Sequence, residues 1–331
     1  MAPPLQALMK RSGRRSLSDG PVIQREALQV LKELKSSLAN PGPVLPFLAL
    51  VAATGFWGSS FLTVAEALSD TDPFTLVFLR FALGTLVLAV ILRKTLRSIP
   101  LRTWKMGAVS GLVIYGSYLF NCAGLMTTMS SMAGFLTALY VPITPFLFWL
   151  IAGKRPDIFA FLGSGTAFLG LVLLADPFAL SPETGLGEWM IILSAFLSAL
   201  EIILMGRFAP FCRAAEICFT QLFFVSLYSG AGSLAAHWTM PSLTPTVLST
   251  GLILAVLWLA TILSCAQFLL AWGQKFVPPA QAAVIFSLES VFAAIIGWLA
   301  GERLGFWGFA GGGLIVAGIL LTEWKRLLSS K

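Results

Sequence analysis

Three charged residues lie inside long apolar stretches of this sequence, where a charge is costly. Glu289 stands in the middle of one stretch, Glu201 about a third of the way along another, and Arg80 within a third. A charge at the centre of a membrane helix costs about 2.5–3.5 kcal/mol on insertion scales, so each of these residues is a functional candidate. Glu289 could titrate a proton, anchor a cationic group of a solute, or form structural hydrogen bonds with neighbouring helices.

The other two charges each have a functional and a structural interpretation. Glu201 could line a cavity or pair with Arg207 near the end of its own stretch. Arg80 could bind an anionic group of a solute, or it could pair with Glu66 or the acids of residues 70–72. Because long arginine side chains reach towards a nearby interface, we favour the structural interpretation for Arg80.

Polar and aromatic side chains in the same stretches form a second group of candidates. Serine and threonine in membrane helices usually bond their own backbone or a neighbouring helix, and aromatic side chains often anchor an interface. Rings that line a cavity would instead suit an amphipathic or aromatic solute, which favours Trp57, Tyr118 and Tyr140. The remaining candidates are polar residues within the stretches: Asn121, Gln267 and Ser287, together with Ser59, Ser60, Tyr115, Thr137, Ser194 and Ser198.

The stretches that carry these residues determine the class of protein. Of 331 residues, 57% are hydrophobic and 11% are charged, whereas soluble domains carry roughly 25% charged residues. Apolar runs of about 20 residues, enough to cross a bilayer, recur along nearly the whole chain. The sequence therefore predicts an all-α membrane protein with ten transmembrane helices, at residues 45–66, 74–92, 104–124, 129–152, 158–175, 188–206, 216–236, 250–272, 280–300 and 305–323. In the fourth span, Pro142 and Pro145 remove backbone hydrogen bonds, which could create a hinge or leave carbonyls facing a cavity.

The basic residues indicate how these helices are oriented. With ten spans, all but Arg80 and Arg303 of the 22 Lys and Arg residues fall on one side of the membrane. Cytoplasmic loops carry the excess of Lys and Arg, so both termini are predicted to be cytoplasmic. The net charge of +7 thus reflects membrane orientation, and we do not predict a nucleic-acid partner.

Residues 1–43 form a predicted cytoplasmic tail without the apolar core of a cleavable signal peptide. Within it, residues 22–38 carry apolar side chains at helical spacing. This segment could be an amphipathic helix on the anionic leaflet or part of a disordered tail. Residues 1–20 are rich in Arg and Ser, so an organellar transit peptide is a further alternative.

An internal repeat relates the two halves of the chain. Shifting the sequence by 148 positions lays residues 152–173 on residues 300–321, and Gly163 and Gly170 then coincide with Gly311 and Gly318. Small residues of this kind let membrane helices approach closely. The repeats would be residues 44–175 and 188–323, each with five spans. Because five is odd, the second repeat would be inverted relative to the first, an arrangement typical of secondary transporters.

Four segments resemble one known family of membrane proteins. The segment "FWGSSFLTVAEAL" (56–68), followed by "LRFALGTLVLAVIL" (79–92), resembles the start of an EamA-type transporter of the drug/metabolite transporter superfamily. The segments "LTALYVPITPFLFWLIAGKR" (136–155) and "FSLESVFAAIIGWLAGERLGFWGFAGGGLIVAGILL" (286–321) resemble the ends of its two repeats. The family usually has proline after the glutamate of the ninth span, where this chain has Ser290. The resemblance implies ten helices, a cavity between the halves, and movement of small organic solutes, often outwards.

We therefore predict a secondary transporter of the cell membrane that exports small organic metabolites such as amino acids. Alternatives are an exchanger of nucleotide sugars or organic phosphates from the same superfamily, and a membrane scaffold or sensor. An intramembrane enzyme acting on lipid is disfavoured, because the chain has a single histidine, His237, which we place in a loop. The four cysteines form no CxxC pair and are interpreted as free. We predict no cofactor and no metal, a lipid bilayer and a small solute as partners, and leave homodimer formation open.

Overall fold

The computed structural model describes residues 41–128, 130–174, 185–240, 243–299 and 305–329. The regular secondary structure in these ranges consists of α-helices and two short 3₁₀ turns. The helices are α1 (Val44–Gly58), α2 (Phe61–Ala67), α3 (Pro73–Leu92), α4 (Leu101–Leu125), α5 (Ser130–Thr137), α6 (Tyr140–Ala152), α7 (Ile158–Leu174), α8 (Leu186–Phe208), α9 (Ala214–Thr239), α10 (Thr250–Gly273), α11 (Pro279–Phe286), α12 (Leu288–Leu299) and α13 (Phe306–Ser329).

The helices confirm a multi-spanning membrane protein. Within the described ranges, nine helical segments are long and apolar enough to cross a bilayer, and α7 is a shorter apolar helix. Large apolar side chains cover the outer surface, such as Leu150, which is 81% exposed. Such a surface suits contact with lipid acyl chains and would be unfavourable in water.

Three of the predicted spans are interrupted, and only the interruption in the fourth span was expected, from its prolines. The first span divides into α1 and α2, the fourth into α5 and α6, and the ninth into α11 and α12. At each interruption a backbone N–H bonds the carbonyl three residues earlier: Ser60 to Trp57 at 2.9 Å, Leu139 to Leu136 at 3.2 Å, and Ser287 to Val284 at 3.2 Å. A short stretch of this tighter pattern inside a helix often marks a hinge or a functional site.

Proline accounts for the interruption in the fourth span. Because proline lacks an N–H, Pro142 and Pro145 leave the carbonyls of Ala138 and Val141 without their usual helical partners. The Ala138 carbonyl accepts from the N–H of Val141 at 3.0 Å, and the Val141 carbonyl accepts from the hydroxyl of Ser164 at 2.6 Å. The sequence predicted broken backbone bonds here, and the structure shows what satisfies these two carbonyls.

The repeated glycines form the interface between α7 and α13. A Cβ on Gly163 would lie 2.5 Å from the Gly318 carbonyl oxygen, and one on Gly170 would lie 2.6 Å from that of Gly311. The order of the pairs shows that the two helices run antiparallel. The repeat makes Gly163 equivalent to Gly311 and Gly170 to Gly318, so the two close contacts are equivalent to each other, as in a two-fold symmetric interface.

The same symmetry relates other helix pairs. Helix α3 packs on α9, its counterpart in the second repeat, and α6 packs on α11. The packing of α4 on α8 is matched by that of α2 on α10. The two halves are thus interleaved, and the space at their centre is enclosed by both.

A polar network joins the loop after α2 to the loop before α10. Asp70 accepts from the Ser249 hydroxyl at 2.5 Å, and the hydroxyls of Thr71 and Thr246 lie 2.9 Å apart. His237 lies in the last turn of α9, which corrects our placement of this residue in a loop. Its Nε2 is 3.7 Å from the carboxylate of the buried Asp72. We call these contacts the interrepeat latch.

Two sequence features fall outside the described residues. The amphipathic segment 22–38 belongs to residues 1–40, and the charge pair Glu302 and Arg303 belongs to residues 300–304.

Candidate functional site: a central polar cavity

A cavity lies where the three interrupted spans meet, between the two halves of the chain. The cavity volume is about 110 Å³. This is room for several water molecules. The residues that line the cavity come from both halves and are mostly aromatic, apolar or hydroxyl-bearing: Trp57, Ser60, Val64, Arg80, Ser117, Tyr118, Asn121, Cys122, Leu125, Thr137, Tyr140, Ser194, Ser198, Glu201, Ile202, Leu270, Phe286 and Glu289.

Two carboxylates line the cavity from the second half. Glu289 stands in the first turn of α12, just after the interruption at Ser287. Glu201 lies on α8 and is 8% exposed. Its Oε1 accepts a hydrogen bond of 2.8 Å from Nε2 of the buried Gln267, and not from the predicted partner Arg207. One carboxylate is thus fixed by a neighbouring helix, while the other stands at a break in its own helix.

Arg80 also lines the cavity, from the first half of the chain, and is 4% exposed. Its guanidinium lies 4.4 Å from the centre of the Tyr118 ring, and Nη2 is 3.9 Å from Sγ of Cys122. Nearby loop acids that we expected as partners are engaged elsewhere, Asp70 with Ser249 and Asp72 with the N–H of Thr75. Arg80 therefore points into the protein, although its position in the span favoured contact with the nearer interface.

Hydroxyls and an amide form a second polar wall. The Ser117 hydroxyl is 2.7 Å from that of Ser198 and 3.3 Å from that of Ser194, which joins α4 to α8. Nδ2 of Asn121 donates to the hydroxyl of Thr137 at 2.8 Å. These groups provide donors and acceptors that can rotate to suit a polar solute.

Aromatic rings complete the lining at the helix interruptions. Trp57 meets Phe286 edge to face, with ring centroids 5.4 Å apart, so the ends of α1 and α11 touch. Gly58 lets α1 approach α12, since a Cβ there would lie 2.7 Å from the Glu289 carbonyl oxygen. Tyr140, 6% exposed, begins α6 on the far side of the fourth-span interruption.

The predicted site residues line this cavity except Ser59, Tyr115, Gln267 and Ser287. Gln267 does not line the cavity itself, but it donates a hydrogen bond to Glu201, which does. Ser287 is buried and directs its hydroxyl to the Val284 carbonyl, at the interruption of its own helix. Our selection omitted Ser117, Cys122 and Phe286. Ser117 and Asn121 are four residues apart on α4, so helical spacing alone could have identified Ser117.

The side chains of this cavity are suited to contacts with a small polar solute. Among the described residues, no three histidine, cysteine, aspartate or glutamate side chains cluster as metal ligands. What the cavity offers is one cation, two carboxylates, rotatable hydroxyls and aromatic faces. Such mixed pockets hold small solutes by a few directed polar contacts within an apolar frame.

Known proteins show the same architecture. A model of the EamA-like transporter family matches residues 45–175 and 185–324. An uncharacterized transporter of Archaeoglobus fulgidus is 28% identical over 247 residues, 74% of this chain and 74% of its own. A solved crystal structure superposes on 86% of this chain and 99% of its own with a TM-score of 0.68, at 20% identity, which shows a shared fold.

Most of the chain matches the family in two consecutive parts, and the resemblance in the sequence is confirmed. Family and relative point to a membrane transporter and not to an enzyme. The chain therefore belongs to the EamA-like transporter family, and through it to the drug/metabolite transporter superfamily.

Proposed function

We propose that this protein is a secondary transporter that binds a small organic solute in the central cavity and releases it on the other side of the membrane. The observation that carries this proposal is the position of the cavity at three helix interruptions, lined from both halves. Transporters with inverted repeats bind solutes near the membrane midplane at discontinuous helices, and the halves move about that site.

The proposal also covers the bounds of the two repeats, the number of spans and the orientation in the membrane. The repeats are residues 44–175 and 188–323, and α7 crosses the membrane as a tenth span, because 17 residues at 1.5 Å each are about the minimum length. The distribution of basic residues supports cytoplasmic termini and residence in the cell membrane. The family resemblance supports export as the direction of transport.

The solute class that best fits the cavity is an amino acid or a related compound. A zwitterion carries one positive and one negative group, and the cavity holds Glu289 and Glu201 together with Arg80. The rings of Trp57 and Tyr140 offer apolar contacts for the body of such a solute.

A flux measurement in liposomes tests this function. Purified protein is reconstituted and offered a mixture of amino acids, and the solutes that cross are identified by mass spectrometry against protein-free liposomes. A Glu289→Gln variant should lose roughly tenfold or more of the flux, because a hydrogen bond to a charged group contributes about 1.5–3 kcal/mol. Glu66→Gln makes the same change at an exposed residue outside the cavity and should leave flux unchanged. Absence of flux in the wild type, or equal flux in the Glu289 variant, would contradict the proposal.

A further inference from the structure

Two buried donors on residues that line the cavity have no partner among the described residues. Trp57 Nε1 and Arg80 Nε are buried and have no hydrogen-bond partner within the described part of the chain. They are the two such side-chain atoms among the residues that line the cavity. Buried N–H groups are paired in the great majority of proteins, so two in one cavity indicate an acceptor that arrives with the solute.

Within the described part of the chain, the charge of Arg80 has no counterion. Neither Glu201 nor Glu289 forms an ion pair with it, although the structure describes all three and all line the cavity. Its contacts are the face of Tyr118 and the thiol of Cys122, at 4.4 and 3.9 Å. The face of an aromatic ring attracts the guanidinium cation. It does not take the place of a hydrogen-bond acceptor for the five N–H groups along the guanidinium edge.

The charges of the cavity restrict which anion this arginine can bind. A guanidinium edge matches planar carboxylates and phosphates. A phosphate, with close to two negative charges at neutral pH, would share the cavity with Glu201 and Glu289 and face one cation. A carboxylate brings a single negative charge, and a cationic group on the same solute would face Glu289.

We propose that Arg80, together with the indole N–H of Trp57, binds the carboxylate group of the transported solute. This assignment rests on the proposed transport function and gives Arg80 a direct role in specificity. It replaces the structural role that the position of Arg80 in its span favoured. The aromatic contact with Tyr118 then holds the guanidinium in place without using any of its N–H groups.

The test compares each solute with its own decarboxylated form. Wild-type proteoliposomes are offered an equimolar mixture of amino acids, the corresponding amines, and organic phosphates, and the transported amounts are measured by mass spectrometry. The ratio of acid to amine is measured within one sample, so it does not depend on how much protein has folded. We expect the wild type to favour acids, and Arg80→Gln to lower the ratio about tenfold or more.

Trp57→Phe keeps the ring and removes the N–H, so it tests the same assignment if the Arg80 variant fails to fold. We expect it to lower the ratio severalfold. An unchanged ratio in both variants, equal transport of acids and amines by the wild type, or preference for organic phosphates would each overturn the role of Arg80 while leaving transport intact. Failure of the wild type to move any offered solute would instead overturn the proposed function on which the assignment rests.

Discussion

At the residue scale, the buried polar side chains divide into those that satisfy one another and those that line the cavity. Glu201 belongs to both groups, because it lines the cavity and also accepts a bond from Gln267. Replacing Gln267 by Leu would leave this carboxylate without its donor. Removal of one partner of a buried hydrogen bond costs about 1–3 kcal/mol, so the variant should have a lower thermal unfolding temperature in detergent.

The matched control is the double variant Glu201→Leu with Gln267→Leu. Replacing both partners by apolar groups removes the unpaired carboxylate, so most of the stability should return. A double variant no more stable than Gln267→Leu alone would show that the bond between the two side chains does not matter.

At the element scale, the interface of α7 and α13 depends on the absence of Cβ atoms. A Cβ at Gly318 would lie 2.6 Å from the Gly163 carbonyl oxygen and 2.8 Å from the Ala167 nitrogen. Gly318→Ala should therefore destabilise the protein by about 1–3 kcal/mol, the usual effect of overpacking. The measurement is the unfolding temperature in detergent.

Gly313 provides the comparison on the same helix. A Cβ there would meet no atom within 4 Å, and alanine is the better helix former by up to about 1 kcal/mol. Gly313→Ala should be neutral or slightly stabilising. Equal effects of the two substitutions would mean that the glycines do not set the distance between the helices.

The interrepeat latch is the second element with a testable consequence. It joins the loop after α2 to the loop before α10, so movement of one half against the other would have to open it. Thr71 and Thr246 have hydroxyls 2.9 Å apart, and cysteines at both positions should form a cross-link on oxidation. We expect the cross-link to stop solute flux and a reducing agent to restore it.

The variants with a cysteine at only one of the positions Thr71 and Thr246 are the controls for oxidation itself, because the chain contains four other cysteines. Full flux through the cross-linked protein would show that the latch stays closed throughout the transport cycle.

At the scale of the whole molecule, the sequence predicts the helices and their repeat far better than the details of the site. Charges inside apolar runs identified Glu289 and Glu201, because a charge there is rare and costly. The glycine matches predicted close packing, and Gly163 and Gly318 do meet. These features depend on local composition and spacing, which a single sequence displays.

The remaining features depend on which helices meet in space. Cys122 looks like an ordinary packing residue, and only the arrangement of α4 against α8 and α3 places it at the cavity. Arg80 was expected to reach an interface, but Tyr118 from a neighbouring helix holds its guanidinium inside. No proline in the sequence indicates the helix interruption at Ser287, whereas Pro142 and Pro145 indicated the interruption in the fourth span.

The central claim is that solute passes through this cavity, and filling the cavity tests it most directly. Ser198 lines the cavity, while Phe196, two residues earlier on α8, is 43% exposed on the outer surface. Ser198→Trp and Phe196→Trp therefore place the same ring on opposite faces of one helix. In liposomes offered amino acids, we predict loss of flux for Ser198→Trp and wild-type flux for Phe196→Trp. Wild-type flux through a correctly folded Ser198→Trp variant would contradict the account.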